Sequence, residues 1–287
     1  MSTTESPGIP PVPPLPTAPA PRPPSGGSGS AKVIALVAIV IGSLIAVGGV
    51  VSAAASTLTS ASVRTTSRSA AVAGVNALDV DLNAGSLRVE FSDVSDAQLT
   101  VTSGTSADQW TLRRDGDKLV VHAPDGRFRW WGGWFGHGNG NAVLLLPQSL
   151  QRADASFDVS AGALTARGDF ARLTLSAGAG QLTVSGSADE VTADMSAGRA
   201  DLRLADVHRA DLEVSAGDLN AVLTGEQPQH VKLSASAGAM RVTVPQGQYD
   251  VRADTSAGSF HNRIGSTPGA ASTVDVDVSA GTIELSD

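Results

Sequence analysis

Residues 76–287 predict an all-β fold, a single-stranded parallel β-helix (a solenoid) of roughly 20 residues per coil. Three observations carry this reading. A Ser-Ala-Gly phrase recurs at near-constant spacing, and apolar residues alternate with polar ones on both sides of each copy. The composition also suits narrow coils. Only 11 of 287 residues are Phe, Trp or Tyr, against 31 glycines, so the core is built from small and β-branched side chains.

The motif serines stand at Ser160, Ser176, Ser196, Ser215, Ser236, Ser256 and Ser279, separated by 16, 20, 19, 21, 20 and 23 residues. An eighth copy, Asn83-Ala84-Gly85, has asparagine for serine. A fixed period of this size marks repeats that bury their apolar faces only against their neighbours. The flanks have period two, as in Val191, Ala193 and Met195 before one motif, Val274, Val276 and Val278 before another, and Leu219, Ala221 and Leu223 after a third. Such alternation describes strands with one buried face. Each motif is therefore read as a corner. Its alanine is expected on the inside of the bend and its serine outside, stacked ~4.8 Å from the next coil. Its glycine is expected in a conformation that a Cβ would resist. The predicted corner glycines are Gly85, Gly162, Gly178, Gly198, Gly217, Gly238, Gly258 and Gly281.

Ahead of the repeats lie three segments of different composition. Residues 1–31 hold ten of the 15 prolines and a Gly/Ser run. They bury too little to offset ordering entropy, which predicts a disordered tail. Residues 32–55 follow as a predicted transmembrane helix, because no charge occurs between Lys32 and Arg64 and Val33–Val51 is almost wholly apolar. The rival reading is a cleaved signal peptide, against which the long apolar run and the long preceding segment both argue. Orientation is a tie by charge, with Arg22 and Lys32 on one side and Arg64 and Arg68 on the other. Residues 56–75, rich in Ser, Thr and Ala, read as a flexible stalk.

Between the first corner and the regular repeats, residues 76–150 carry less regular strand signals at Leu99 and Val101, Trp110 and Leu112, Leu119 and Val121, and Val143–Leu146. Atypical terminal repeats are expected where a solenoid end must be closed. The apolar span, the glycine-punctuated β repeats and the opening "LLLPQSL" strand together resemble the bacterial adhesin family also called toastrack domains. The resemblance covers about residues 76–287 and rests on a degenerate repeat. It implies a cell-envelope protein whose β domain lies outside the cytoplasmic membrane, and it supplies no catalytic residues.

Two features are candidate sites. Two residues before the corners, on the outward phase, stand Asp158, Thr174, Asp194, Glu213, Ser234, Asp254 and Asp277, with Asp81 ahead of Asn83. Stacked carboxylates repel one another unless solvated or bridged. Asp158, Asp194, Glu213, Asp254 and Asp277 thus form either a calcium stripe or a solvated acidic face, and nearby Arg172, Lys232 and Arg252 favour the second. The other feature is "RFRWWGGWFGHGNGN", which packs Phe128, Trp130, Trp131, Trp134 and Phe135 into eight residues between glycines. It is either an exposed loop for membrane, glycan or protein contact, or an aromatic plug over the solenoid end. Partial burial with at least one exposed indole is expected.

Net charge is −8, which disfavours a nucleic-acid partner. The absence of cysteine excludes disulfides and thiolate chemistry. The five histidines, His122, His137, His208, His230 and His261, have no metal-binding spacing, and no nucleophile elbow or phosphate loop occurs. No cofactor is expected beyond the calcium alternative. The leading functional reading is a non-catalytic, membrane-anchored extracytoplasmic binding, adhesion or scaffolding module, with an envelope protein or glycan as partner. A sensor of envelope-stress signalling is the alternative. A polysaccharide-acting β-helix enzyme stands third, since its carboxylates would lack groove-forming loops.

Overall fold

The computed structural model describes residues 64–103, 107–124 and 140–287. The expected tail (1–31), the expected span (32–55) and all five rings of the aromatic segment lie outside these residues. Within them the chain is all-β apart from two single-turn 3-10 helices, Ala107–Gln109 and Gln148–Leu150. Among the described residues no helix is long and apolar enough to cross a membrane. The β structure begins earlier than the composition suggests. Arg64–Ala70, placed in the flexible stalk by its small polar residues, is instead β1.

Two parallel ladders make up most of the fold. Strands β2 (Ala77–Leu82), β6 (Lys118–His122), β8 (Ala153–Val159), β12 (Arg209–Val214), β14 (His230–Ala235), β16 (Tyr249–Thr255) and β18 (Ser272–Val278) belong to the first. Strands β3 (Ser86–Ser92), β7 (Asn141–Pro147), β11 (Arg199–Ala205), β13 (Asp218–Thr224), β15 (Ala239–Thr243), β17 (Ser259–Asn262) and β19 (Thr282–Ser286) belong to the second. The 15-residue strands β9 (Ala163–Ala177) and β10 (Gln181–Met195) run through both ladders. One strand of each ladder makes a tier, and tiers pair in parallel, as Val191↔Ala210 and Leu182↔Ala200 illustrate. Inward side chains of both ladders meet in one apolar core, where Leu164, Leu182, Leu202, Leu212, Leu233 and Ile283 are all at most 1% exposed.

Tier order departs from chain order at both ends. The last tier, β18–β19, lies between β14–β15 and β16–β17. Likewise β2–β3 lies between β6–β7 and β8–β9. At the C-terminal end composition accounts for this exchange. Val274, Val276, Val278, Ile283 and Leu285 are fully apolar and gain two covering neighbours, whereas the outer tier offers Ala253, Thr255 and Asn262 in the equivalent places. At the other end the ladders are closed by antiparallel strands. β5 (Thr111–Asp115) covers β6, β4 (Ala97–Ser103) covers β7, and β1 pairs in turn with β4.

The corners obey a different rule from the one the motif suggests. Gly140, Gly85, Gly162, Gly180, Gly198, Gly217, Gly238, Gly281 and Gly258 form one column, each set against the backbone of the one before it. A Cβ on Gly162 would sit 2.5 Å from the Gly85 carbonyl oxygen, and one on Gly238 would sit 2.6 Å from that of Gly217. Positive φ is confined to Gly85 in this column, at 100°. Close approach of backbones, rather than a left-handed turn, therefore demands glycine. Gly178 is not a member. Its N–H donates to the Val159 carbonyl, and that of Ala179 to the Ser160 carbonyl, which sets Gly178 in the serine column and leaves Gly180 at the corner. The motif alanines are also reversed. Ala161, Ala197, Ala216, Ala237, Ala257 and Ala280 are exposed, because the corner places two successive residues on the solvent side.

The antiparallel end holds the large rings. Phe170 meets Phe157 and Phe91 edge-on, with centroids 5.9 and 6.1 Å apart. Trp110, 1% exposed, lies against Gly85 and Gly140 at the end of the glycine column. Within the described residues this indole is an aromatic cover at that end. Phe170→Ala should lower stability by about 3–5 kcal/mol, because its contacts on two sides cannot be refilled. Gly217→Ala should cost about 3 kcal/mol, since only backbone could give way, while Ser215→Ala should stay within about 0.5 kcal/mol. Urea midpoints of the three variants check the order; equal values for Gly217→Ala and Ser215→Ala would remove the glycine column as the organising contact.

Candidate functional site

The outward side of the first ladder carries straight columns of polar side chains, because parallel in-register tiers place equivalent residues one strand apart. In the column nearest the strand starts, charges alternate. Arg172 bonds Asp154 at 2.9 Å on one tier and Glu190 at 3.4 Å on the next. In the column two residues later, Lys232 reaches Asp211 at 3.8 Å. On the outermost tier, β16–β17, Arg252 turns along its own strand to Asp250, at 2.7 Å. Arg172, Lys232 and Arg252 are thus all committed elsewhere, and none reaches the acidic column beside them.

That acidic column runs Asp81, Asp158, Ser176, Asp194, Glu213, Ser234, Asp277, Asp254 from tier to tier. Thr174, assigned here by counting back from Ser176, lies one column away, since Ser176 itself pairs with Asp158 and Asp194. The column consequently resolves into three carboxylate pairs, Asp81–Asp158, Asp194–Glu213 and Asp277–Asp254, separated by Ser176 and Ser234. His122 bonds Asp81 at 3.0 Å, and among the described residues no salt bridge reaches Asp158, Asp194, Glu213, Asp254 or Asp277. Among the described residues no group of three or more His, Asp or Glu side chains is gathered to hold a metal ion. The calcium-stripe reading therefore gains no assembled ligand set.

Asp158 reports the crowding. Burial first, and then the charge of Asp81, raise its pKa above the ordinary 3.8, while a hydrogen bond from Ser176 opposes them. A carboxyl raised in the folded state holds its proton more tightly there than in the unfolded chain. Its contribution therefore favours folding at acid pH and is lost as pH rises through the raised value.

Two further histidines have surface partners. His208 lies 3.7 Å from Glu226, and His230 bonds the Thr273 hydroxyl at 2.9 Å with Asp275 at 3.8 Å.

Two open depressions lie on the ladders, the larger of them mainly polar. One, of about 440 Å³, is lined on the second ladder by Arg199, Asp201, Asp218, Asn220 and Arg241. Its charges are cross-linked, with Arg199 bonding Asp218 at 3.1 Å and the Asn220 amide donating to Asp201 at 3.3 Å. Arg241 lies on its rim, 3.7 Å from Glu284 and 69% exposed. The other, of about 360 Å³, is lined on the first ladder by Lys232, Ser234, Arg252, Asp254, Asp275 and Asp277. Neither was legible beforehand, since their residues come from three tiers. The aromatic candidates Phe128, Trp130, Trp131, Trp134 and Phe135 lie outside the described residues.

Asp158→Asn should raise the urea midpoint at neutral pH, where the parent carries an unfavourable charge. The difference should shrink below the usual carboxylate range. A gain that is independent of pH would show that repulsion along the column is not its source.

No known protein family matches the chain as a whole sequence profile, and no curated protein matches it. Solved structures do. One is described as "a putative cell adhesion protein" of Clostridium sporogenes, 10% identical, covering 78% of this chain and 99% of its own, with a TM-score of 0.38. Another is "a putative adhesin" of Bacteroides fragilis, 12% identical over 77% of this chain and 97% of its own, TM-score 0.46. A third, "a putative adhesin" of Parabacteroides merdae, is 12% identical over 78% and 97%, TM-score 0.38.

Proposed function

We propose that the chain is a membrane-anchored, extracytoplasmic β-solenoid that binds a polar envelope ligand, glycan or protein, without catalysis. The observation that carries this reading is the pair of open depressions on the outward columns, the larger of them mainly polar. Each is lined by side chains from successive tiers, and in the larger one Arg199, Asn220 and Arg241 are already oriented by partners across the tier spacing. A surface of this kind meets hydroxyl-rich or peptide ligands with little ordering cost, because its side chains lose little freedom on binding. Exposed salt bridges between tiers contribute little stability, so their regular placement is better explained by presentation than by folding. In this reading the apolar segment at 32–55 supplies the anchor, and the toastrack resemblance alone gives the extracytoplasmic side.

The absence of native cysteine gives a direct test of location. Ser279→Cys, at an exposed corner, should react with a membrane-impermeant maleimide on intact cells. Labelling that requires lysis would overturn the orientation. For binding, Arg241→Gln in the full chain should weaken retention on isolated envelope fractions severalfold while moving the thermal midpoint little, because its exposed ion pair with Glu284 contributes little stability. Unaltered retention would remove the larger depression as the contact.

A further inference from the structure

The two ends of the stack are finished differently. At the N-terminal end, antiparallel strands β4 and β5 cover the outermost tier. At the other end, among the described residues, β16 pairs only with β18, and β17 only with β19. Alternate residues of a strand turn both backbone groups to the same side. The Ser256 N–H donates to Val278, so even-numbered residues of β16 face the covered side. The odd-numbered residues face outward. The N–H of Val251 donates to the Ser266 hydroxyl, which in turn donates to the Val251 carbonyl, and Thr267 N–H donates to Tyr249. Beyond that strap, Ala253 and Thr255 have no hydrogen bond on the outer side among the described residues. The inward side of this tier is also incomplete. Ala253 is exposed and Val251 and Phe260 are half-buried, where Val276, Val274 and Ile283 one tier deeper are buried.

We propose that this end is a self-association edge. Two copies join β16 to β16 in antiparallel fashion about Ala253, with Arg252 of each facing Asp254 of the other. The register follows from charge. Antiparallel pairing centred on Ala253 sets residue 252 opposite residue 254 twice over, so both cross-strand pairs are Arg–Asp. Centring on Asp254 would instead oppose two carboxylates, and like charges directly opposite destabilise a ladder. Asp254 has a standing reason to accept a cation, since it stacks on Asp277 of the neighbouring tier with no salt bridge among the described residues. Arg252 engages Asp250 through Nη2 only and is 65% exposed, which leaves donors for a second carboxylate. Ala253 then exchanges two backbone bonds with its counterpart. Thr255 of the second copy faces Val251, and its backbone takes the place of the Ser266 hydroxyl there. Two exposed apolar ends are covered by one contact, and the open edge that invites other strands is removed. This edge shares Arg252, Ala253 and Asp254 with the smaller depression, but the contact requires no ligand there, and the larger depression is separate from it.

Because the chain has no cysteine, Ala253→Cys in the full-length protein, in its native membrane, reports the contact. A short bis-maleimide should give a covalent dimer, whereas Ala216→Cys, also exposed but in mid-stack, should give little. Adding either Arg252→Asp or Asp254→Arg to Ala253→Cys should lower the dimer yield by roughly fivefold or more, because each places like charges opposite one another. The double exchange, Arg252→Asp with Asp254→Arg, should restore it. Equal yields at positions 253 and 216, cross-linking only to a different protein, or charge exchange without effect and rescue would each overturn the proposal.

Discussion

The fold depends on how closely neighbouring tiers approach at one corner. There the carbonyl of one glycine occupies the space that a Cβ on the next would need, from Gly140 to Gly258. A single larger residue would hold two tiers apart at that corner while the strands on either side still called for hydrogen-bonding distance. No side-chain rearrangement relieves such a conflict, because the obstruction is backbone. The contact therefore acts on every tier at once, and it explains why glycine recurs although positive φ occurs in the column at Gly85 alone.

Once the tiers are locked at this spacing, both faces of each ladder become columns. Inward columns need only be apolar and of matching size, so Leu, Val, Ala and Met interchange freely, as in Ala193, Leu212, Leu233 and Val276. Outward columns bring like residues together unless the sequence alternates them. The Arg172 column alternates and is salt-bridged. The acidic column does not alternate, and serine interrupts it before more than two carboxylates adjoin. Repulsion along a column is thus limited by interruption in one place and by pairing in another. The same logic bears on the open end, where Asp254 and Asp277 form the last unrelieved pair.

Periodicity made much of this visible. The alternation of Val274, Val276 and Val278 can serve only a strand with one buried face, and these residues are buried. The corner at 176–180 was misread because "SAGAG" contains two candidate glycines, and small residues carry no volume signal to choose between Gly178 and Gly180. Hydrogen bonds from Gly178 and Ala179 to the preceding tier make that choice. The acidic column inherited the same two-residue error at Thr174. The outward alanines escaped notice for a related reason. A strict period of two cannot register a corner at which two successive residues face solvent.

The sequence by itself determined the all-β class, the tier length, the apolar columns and all of the corner glycines but Gly140 and Gly180, because these follow from local patterns that repeat along the chain. Only the tertiary structure decided which tier lies next to which. Placing β18–β19 beneath β16–β17, and β2–β3 beneath β6–β7, is a competition among segments far apart in the chain. Each offers acceptable backbone pairing, so the outcome depends on which tier gains more from a second neighbour. The same competition leaves Arg252, Ala253 and Asp254 on the outermost strand, where a chain read in order would have placed Val274, Val276 and Val278.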